Sequence, residues 1–167
     1  MAVIMIDDDG YRLNVGIVIC NQDNMLFWGR RIGQNSWQFP QGGMTRYETI
    51  EQTLLRELRE ETGLEENDIE IITQLSDWIS YDLPENLIRR YKRPVCVGQR
   101  QKWFLLRLKS KDQSISLDAA ERPEFDSWKW VDYWHPLDEV IYFKREVYKK
   151  ALTEFAPFLG FSLDKVS

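Results

Sequence analysis

Residues 42–64 read GGMTRYETIEQTLLRELREETGL. Within this stretch, apolar side chains recur every four residues, at Ile50, Leu54 and Leu58. This spacing places them on one side of a helix, and we predict a helix over 48–62. Gly63 stands where a left-handed C-terminal cap is expected, with the apolar Leu64 after it. The stretch is therefore predicted to form a loop, a helix and a second loop.

Three glutamates follow the same helix at positions i, i+3 and i+4, namely Glu57, Glu60 and Glu61. Side chains at this spacing share a face, here next to the apolar stripe. Three like charges so close repel one another, and hard oxygen ligands in such a cluster suit Mg²⁺ or Mn²⁺. The alternative is a solvated acidic face, with Arg56 and Arg59 pairing some of the charges. Taken alone, that alternative is the commoner structure.

The spacing of the other residues favours the metal site. The string runs Gly42-x5-Glu48-x7-Arg56-Glu57-Leu58-x-Glu60-Glu61-x-Gly63-Leu64. It resembles the Nudix box, the loop–helix–loop signature of the Nudix hydrolases, and every fixed position is filled. The resemblance implies an α/β (α+β) fold, an α/β/α sandwich with a mixed β-sheet. It also implies hydrolysis of a nucleoside diphosphate linked to another group.

The resemblance also implies roles for single residues. Glu57, Glu60 and Glu61 correspond to metal ligands, one of which orients or deprotonates the attacking water. Glu124 corresponds to a further catalytic carboxylate from outside the box, although a turn residue after Pro123 is its ordinary interpretation. The backbone carbonyl of the Gly42 region would also bind the metal. Structural roles within the box fall to Gly42, Glu48, Arg56 and Gly63, with Arg56 holding Glu48 and the loop.

Four segments outside the box carry the resemblance further, at 11–16, 37–43, 98–104 and 123–131. They are similar to the branch of the family that removes pyrophosphate from 5′-triphosphorylated RNA, close to the dinucleoside polyphosphate hydrolases. The similarity runs from about residue 5 to about residue 155. It implies a product RNA with a 5′-monophosphate, which favours mRNA decay by nucleases.

The same resemblance implies that residues other than the carboxylates contact the substrate. Positions near phosphates or the first nucleotides are Arg12, Ser36, Tyr81, Gln99 and Lys144. Arg31 and Phe143 correspond to a pair that clamps a base. Each has an ordinary interpretation as well: a basic side chain is usually solvated, and Phe143, at the start of an amphipathic helix, is equally a core residue.

A basic stretch follows at 89–111, with nine Lys or Arg residues and no Asp or Glu. Trp103 and Phe104 interrupt it, and Lys102 precedes them as a further candidate RNA contact. Cations that track phosphates and aromatic rings that stack on bases are typical of single-stranded RNA binding. The alternative is a buried strand with its cations in solvent, since alternation places at least one of the two rings in the core.

Composition sets the limits on these interpretations. The chain has 167 residues and a net charge of −5, a total that hides the acidic helix and the basic stretch. We predict one domain over 10–155 and a short tail over 156–167. Two cysteines and a single histidine, His135, exclude disulfide scaffolds and His-rich metal sites. With no targeting segment and no apolar run of about 20 residues, we expect a soluble, cytoplasmic monomer without membrane contact.

Further elements follow from alternation and turn residues. We predict strands over 11–20, 25–31, 37–39, 69–78, 101–108 and 128–131, and a helix over 144–155. The Pro-bounded residues 82–99 are predicted as a long surface loop.

Two other functions remain open at this level. An asymmetric dinucleoside tetraphosphate hydrolase would share the whole active site, because it differs only in what lies beyond the phosphates. A non-catalytic RNA or nucleotide sensor is disfavoured, because all the box glutamates are present; a scaffold role is weaker still.

Overall fold

The computed structural model describes residues 3–163. Its strands are β1 (Tyr11–Cys20), β2 (Leu26–Arg31), β3 (Trp37–Gln38), β4 (Gln41–Gly43), β5 (Ile69–Gln74), β6 (Ile79–Asp82), β7 (Gly98–Leu108) and β8 (Phe125–Val131). Its α-helices are α1 (Ile50–Thr62), α2 (Pro136–Glu139) and α3 (Arg145–Phe155). Short 3-10 turns at Glu85–Leu87 and Tyr142–Lys144 border the site described below.

The strands form one mixed sheet. Its central pair is parallel, β1 with β7, in a register that runs from Tyr11 opposite Gly98 to Cys20 opposite Arg107. Outward from this pair the order is β3-β2-β1-β7-β5, while β4 pairs with β1, β6 with β7 and β8 with β2. Every pairing other than β1 with β7 is antiparallel.

Helices cover both faces of this sheet. Leu54 and Leu58 of α1 join Ile17 and Phe104 in the cluster on one face. On the other face, Tyr148 and Leu152 of α3 join the cluster that contains Trp103. The predicted α/β/α sandwich is therefore confirmed. Since neighbouring residues of β7 point to opposite faces, Trp103 and Phe104 are both core residues, each stabilising the fold by roughly 2 kcal/mol through burial.

The helix of the box is capped at both ends. Thr49 is its N-cap, and Thr49 and Gln52 form a capping box. Gly63 adopts φ 73°, and its amide donates to the Arg59 carbonyl oxygen at 2.9 Å. The predicted C-terminus is confirmed. The helix begins at Ile50 instead of residue 48, because Thr49 is the N-cap and its side chain accepts a hydrogen bond from the Gln52 amide.

Several predicted boundaries were wrong. The strand predicted over 69–78 ends at Gln74, and a separate strand, β6, follows it at Ile79–Asp82, ending at the first residue of the predicted loop. Ile79 and Tyr81 of β6 are buried and alternate with exposed residues, the pattern of a half-buried strand. Gly42 and Gly43, predicted to belong to the loop before the helix, instead pair with β1 as part of β4. Among the described residues, none of the helices combines the length and apolar character needed to cross a bilayer.

Candidate active site

A cavity of about 560 Å³ opens beside β4, between the first halves of β1 and β7 and the 3-10 turn before α3. It lies within the usual size range of small-molecule sites. Ten residues that the sequence singled out line it: Arg12, Arg31, Gly42, Glu57, Glu61, Tyr81, Gln99, Glu124, Phe143 and Lys144. The fold thus brings together residues that are far apart in sequence.

Two carboxylates on α1 form the acidic wall of the cavity. Glu57 and Glu61 are only 8% and 7% exposed, because α1 turns them towards the sheet. Burial raises the pKa of Glu57 to about 7, against the opposing charge of Arg56. Burial also raises the pKa of Glu61, and the nearby charges of Glu57 and Glu124 add to this. The wall is therefore a pair of desolvated carboxylates, of which Glu57 pairs with Arg56 and Glu61 accepts a hydrogen bond from the Gln41 amide.

The other two predicted carboxylates are more exposed. Glu60 contacts Arg56 Nη1 at 3.3 Å but does not line the cavity. Glu124 reaches the cavity from the turn before β8, and its carboxylate pairs with Arg31 Nε at 3.1 Å. Glu124 therefore faces the helix carboxylates from another part of the chain.

Arg56 ties the loop of the box to its helix. Its Nε donates to Glu48 Oε2 at 2.5 Å, and its Nη2 donates to Glu48 Oε1 at 2.9 Å and to the Gly43 carbonyl oxygen at 2.8 Å. Its Nη1 donates to Glu57 Oε1 at 2.7 Å. The hydrogen bonds from Arg56 hold the pKa of Glu48 at about 2. The predicted contact between Arg56 and Glu48 is present.

The donor set fits a hard divalent cation. Within residues 3–163 no three His, Cys, Asp or Glu side chains converge as a formed metal site, and Arg56 bonds both Glu57 and Glu60 in this conformation. Yet the wall consists of oxygen donors alone, and its buried carboxylates carry raised pKa values. Gly42 has no side chain to separate the strand from Glu57. Oxygen ligands of this kind are those that Mg²⁺ and Mn²⁺ prefer.

Cations also line the cavity, close to these carboxylates. Lys144 is 6% exposed, and its Nζ donates to Gln38 Oε1 at 2.9 Å. Burial, assisted by the charge of Arg31, lowers the pKa of Lys144 to about 8. Arg12 lies against the backbone of Gly43, and its buried Nε has no hydrogen-bond partner. An anionic ligand would satisfy these donors.

Sequence reasoning named Gln99 but missed the other amide side chains that line the cavity, Asn14, Gln38 and Gln41. Asn14 Nδ2 donates to Gln99 Oε1 at 2.7 Å, and Gln101 Nε2 donates to Gln41 Oε1 at 3.3 Å. With Gln38 accepting from Lys144, the carbonyl oxygens of three cavity-lining glutamines are already bonded. The NH₂ group of Gln41 bonds the Tyr81 hydroxyl, and those of Gln38 and Gln99 face the cavity lining as neutral donors. The alternation of polar residues at the start of β7 was the sequence feature that could have indicated it.

Phe143 serves the core and the cavity at once. It lines the cavity and also packs against the α3-side core, with its ring 5.9 Å from that of Tyr81. Burial raises the pKa of Tyr81 to about 12, so this ring is a neutral phenol at physiological pH. The two interpretations of Phe143 that the sequence left open are therefore compatible.

Two predicted contacts lie apart from this cluster. Ser36 is half-buried at the end of the β2–β3 turn, where its carbonyl oxygen accepts from the Arg31 amide at 2.9 Å. Lys102 lies on the opposite face of β7 from Gln99, and its Nζ donates to the Ser76 carbonyl oxygen at 2.8 Å. The basic stretch is also divided: Arg100 pairs with Asp7, and Arg107 donates to the Asn21 carbonyl oxygen. It does not form one surface, because strand alternation separates its members.

The chain matches the NUDIX domain family over residues 10–155. It is 56% identical over 154 residues to the RNA pyrophosphohydrolase of Pseudoalteromonas translucida, covering 92% of this chain and 90% of that protein. Identity to the RNA pyrophosphohydrolase of Alkalilimnicola ehrlichii is 55%, covering 93% and 86%. Among solved structures, the E. coli dihydroneopterin triphosphate pyrophosphohydrolase has a similar fold, with a TM-score of 0.67 at 20% identity over 85% of this chain and 95% of that one.

Proposed function

Because this chain belongs to the Nudix hydrolase family, we propose that it removes pyrophosphate from the 5′-triphosphate end of RNA. One water is consumed, a phosphorus–oxygen bond of the triphosphate breaks, and the products are pyrophosphate and RNA with a 5′-monophosphate. Curated relatives at 54–56% identity that carry the name RNA pyrophosphohydrolase support this choice of substrate.

One observation carries the proposal: a single cavity is lined by both buried carboxylates and cations. Glu57 and Glu61 supply the acidic groups, and Arg12, Arg31 and Lys144 supply the basic groups. A polyphosphate chain needs both, since cations bind its oxygens while the carboxylates hold the metal that shields its charge. A simple anion-binding pocket would not place desolvated carboxylates beside the anion.

We propose that Glu57, Glu60, Glu61 and Glu124, with the backbone at Gly42, hold Mg²⁺ or Mn²⁺. When bound, such an ion neutralises phosphate charge and lowers the pKa of a coordinated water. The carboxylate that takes the proton from the attacking water belongs to this group. Arg56 has a separate task, since it fixes Glu48 and the loop that carries Gly43.

The remaining lining residues position the substrate. We propose that Arg12 and Lys144 bind phosphate oxygens, and that the NH₂ groups of Gln38 and Gln99 donate beside them. Phe143 and Arg31 lie at the same end of the lining as Lys144 and Glu124, where a base can stack on the ring and the guanidinium. Tyr81 packs against Phe143, and Ser36 lies beside Arg31, whose amide donates to its carbonyl oxygen.

The decisive experiment compares kcat/KM for 5′-triphosphorylated RNA and for diadenosine tetraphosphate in Mg²⁺. A preference for RNA supports the proposal, and a clear preference for the dinucleotide would replace it with the dinucleoside polyphosphate hydrolase.

Glu61→Gln should reduce turnover by roughly 1,000-fold while the fold is retained. Tight RNA binding without turnover in the unaltered protein would instead indicate a sensor.

We further propose a setting for this reaction. Residues 10–155 act as one domain with a short tail over 156–167, as a monomer in the cytoplasm. The two cysteines, Cys20 and Cys96, are free thiols, which suits a reducing compartment.

A further inference from the structure

A second groove adjoins the active-site cavity. Both are lined by the same five residues along their shared border: Arg12, Leu83, Leu87, Arg89 and Gln99. Beyond that border, the groove runs between residues 3–6 and the loop at 89–96. A chain-like ligand that leaves the cavity on this side would enter the groove directly.

The groove is basic. Arg89, Lys92 and Arg93 line it, and none of the Asp or Glu residues among the described residues does. No ion pair within residues 3–163 involves Arg89 or Lys92, whereas the neighbouring Arg90 is paired with Glu85 at 2.6 Å and lies outside the groove. Arg93 donates only to backbone carbonyl oxygens of its own loop. The charges of Arg89, Lys92 and Arg93 are therefore available to an anion.

Apolar side chains line the groove together with these cations. Ile4 and Leu87 are 49% and 47% exposed although both are large and aliphatic. Cations that follow a backbone of phosphates, interleaved with surfaces that pack against bases, are typical of single-stranded nucleic-acid sites.

We propose that this groove binds the RNA nucleotides that follow those held in the cavity. The inference rests on the proposed function, and it makes the groove the feature that distinguishes RNA from dinucleoside polyphosphates. A dinucleoside polyphosphate ends within the cavity, whereas an RNA chain continues past Arg89. Lys92 and Arg93 then add affinity only for substrates longer than a few nucleotides.

The test is a double variant, Lys92→Gln with Arg93→Gln, because these two residues line the groove but not the cavity. Substrates are a triphosphorylated dinucleotide and a triphosphorylated unstructured RNA of about 20 nucleotides. At about 0.1 M KCl we expect kcat/KM for the long RNA to fall roughly fivefold to tenfold through KM. The slope of log kcat/KM against log salt should weaken by about 1.4, the value for two lost phosphate contacts on a single strand. The dinucleotide should be cleaved as before.

The matched control is Lys149→Gln with Lys150→Gln, the same change of charge on α3 away from the groove, and it should leave both substrates unaffected. Unchanged cleavage of long RNA by the groove variant overturns the inference, as does an equal loss on the dinucleotide. Failure of the proposed function looks different: the unaltered protein would then cleave diadenosine tetraphosphate but neither RNA.

Discussion

The backbone of Gly42 lies directly against the carboxyl group of Glu57. A Cβ added at residue 42 would stand 1.8 Å from Glu57 Cδ and 2.1 Å from Glu57 Oε2. Gly42 pairs with Val15 in the sheet, so its backbone cannot retreat, and the carboxylate is the part that would move. The glycine is therefore required by the close approach of strand and helix.

Gly42→Ala should abolish activity with little loss of stability. The added methyl forces the end of a flexible side chain out of place, which costs at most about 1.5 kcal/mol in a poorer rotamer. The displaced Glu57 carboxylate should lower kcat by about 100-fold or more, as expected for a misplacement of about 1 Å. Urea unfolding and kcat together check this; full activity in the folded variant would contradict the placement of Glu57 in the active site.

Glu57 should make the metal-free protein less stable as the pH rises. Its pKa is about 7 in the folded protein and 4.5 ordinarily, so the fold favours the protonated carboxyl. The penalty is absent below about pH 4.5 and grows as the pH rises through about 7, up to roughly 3 kcal/mol. Glu57→Gln should remove this part of the pH dependence, measured as the difference in unfolding free energy between the two proteins in EDTA. Parallel stability curves would refute the pKa assignment.

Divalent cations should reverse that penalty. The buried glutamates of the wall repel one another when they are ionised. Bound Mg²⁺ or Mn²⁺ offsets their negative charge, so the Tm should rise with metal concentration. Glu57→Gln and Glu61→Gln should lose most of this rise. Glu65→Gln, a change at an exposed glutamate just past α1, serves as the control and should keep it.

The ion pair of Arg56 and Glu48 should stabilise the protein against acid. Glu48 has a pKa of about 2 instead of 4.5, so the pair is at full strength above about pH 4.5 and is lost as the pH falls towards 2. Arg56→Lys cannot reach Glu48, Gly43 and Glu57 at once and should cost about 1–3 kcal/mol near neutral pH. In urea unfolding, the free energy of unfolding of Glu48→Gln should decline less steeply between about pH 5 and pH 3 than that of the unaltered protein. An unchanged decline would rule out this pair as its cause.

Lys144 should make phosphate binding depend on pH. Because its pKa is about 8, the ammonium is lost as the pH rises above that value, and the Kd for a non-hydrolysable triphosphate RNA should increase. Lys144→Arg keeps its charge and should remove this dependence. Lys144→Gln should bind roughly tenfold more weakly at about pH 7 and also show a flat profile. The same rise in all three proteins would assign the titration to another group.

The structure of the box could be predicted largely from residues that are close together in sequence. Its helix, the cap at Gly63 and the contact of Arg56 with Glu48 depend on residues within about two dozen positions, and short-range periodicity and capping suffice to predict them. The same reasoning missed β6, because a four-residue strand is indistinguishable from a loop until β7 lies beside it.

The sequence by itself determined that carboxylates gather on one helix face beside a core, since that follows from helical spacing alone. Only the tertiary structure decided which polar residues join them. Pairing of β1 with β7 brings Asn14 near Gln99, and alternation along β7 turns Lys102 away from the cavity while Gln99 faces it. The register of the strands, and the face of the sheet on which each side chain lies, are set by contacts between segments about 85 positions apart. No local sequence pattern encodes them.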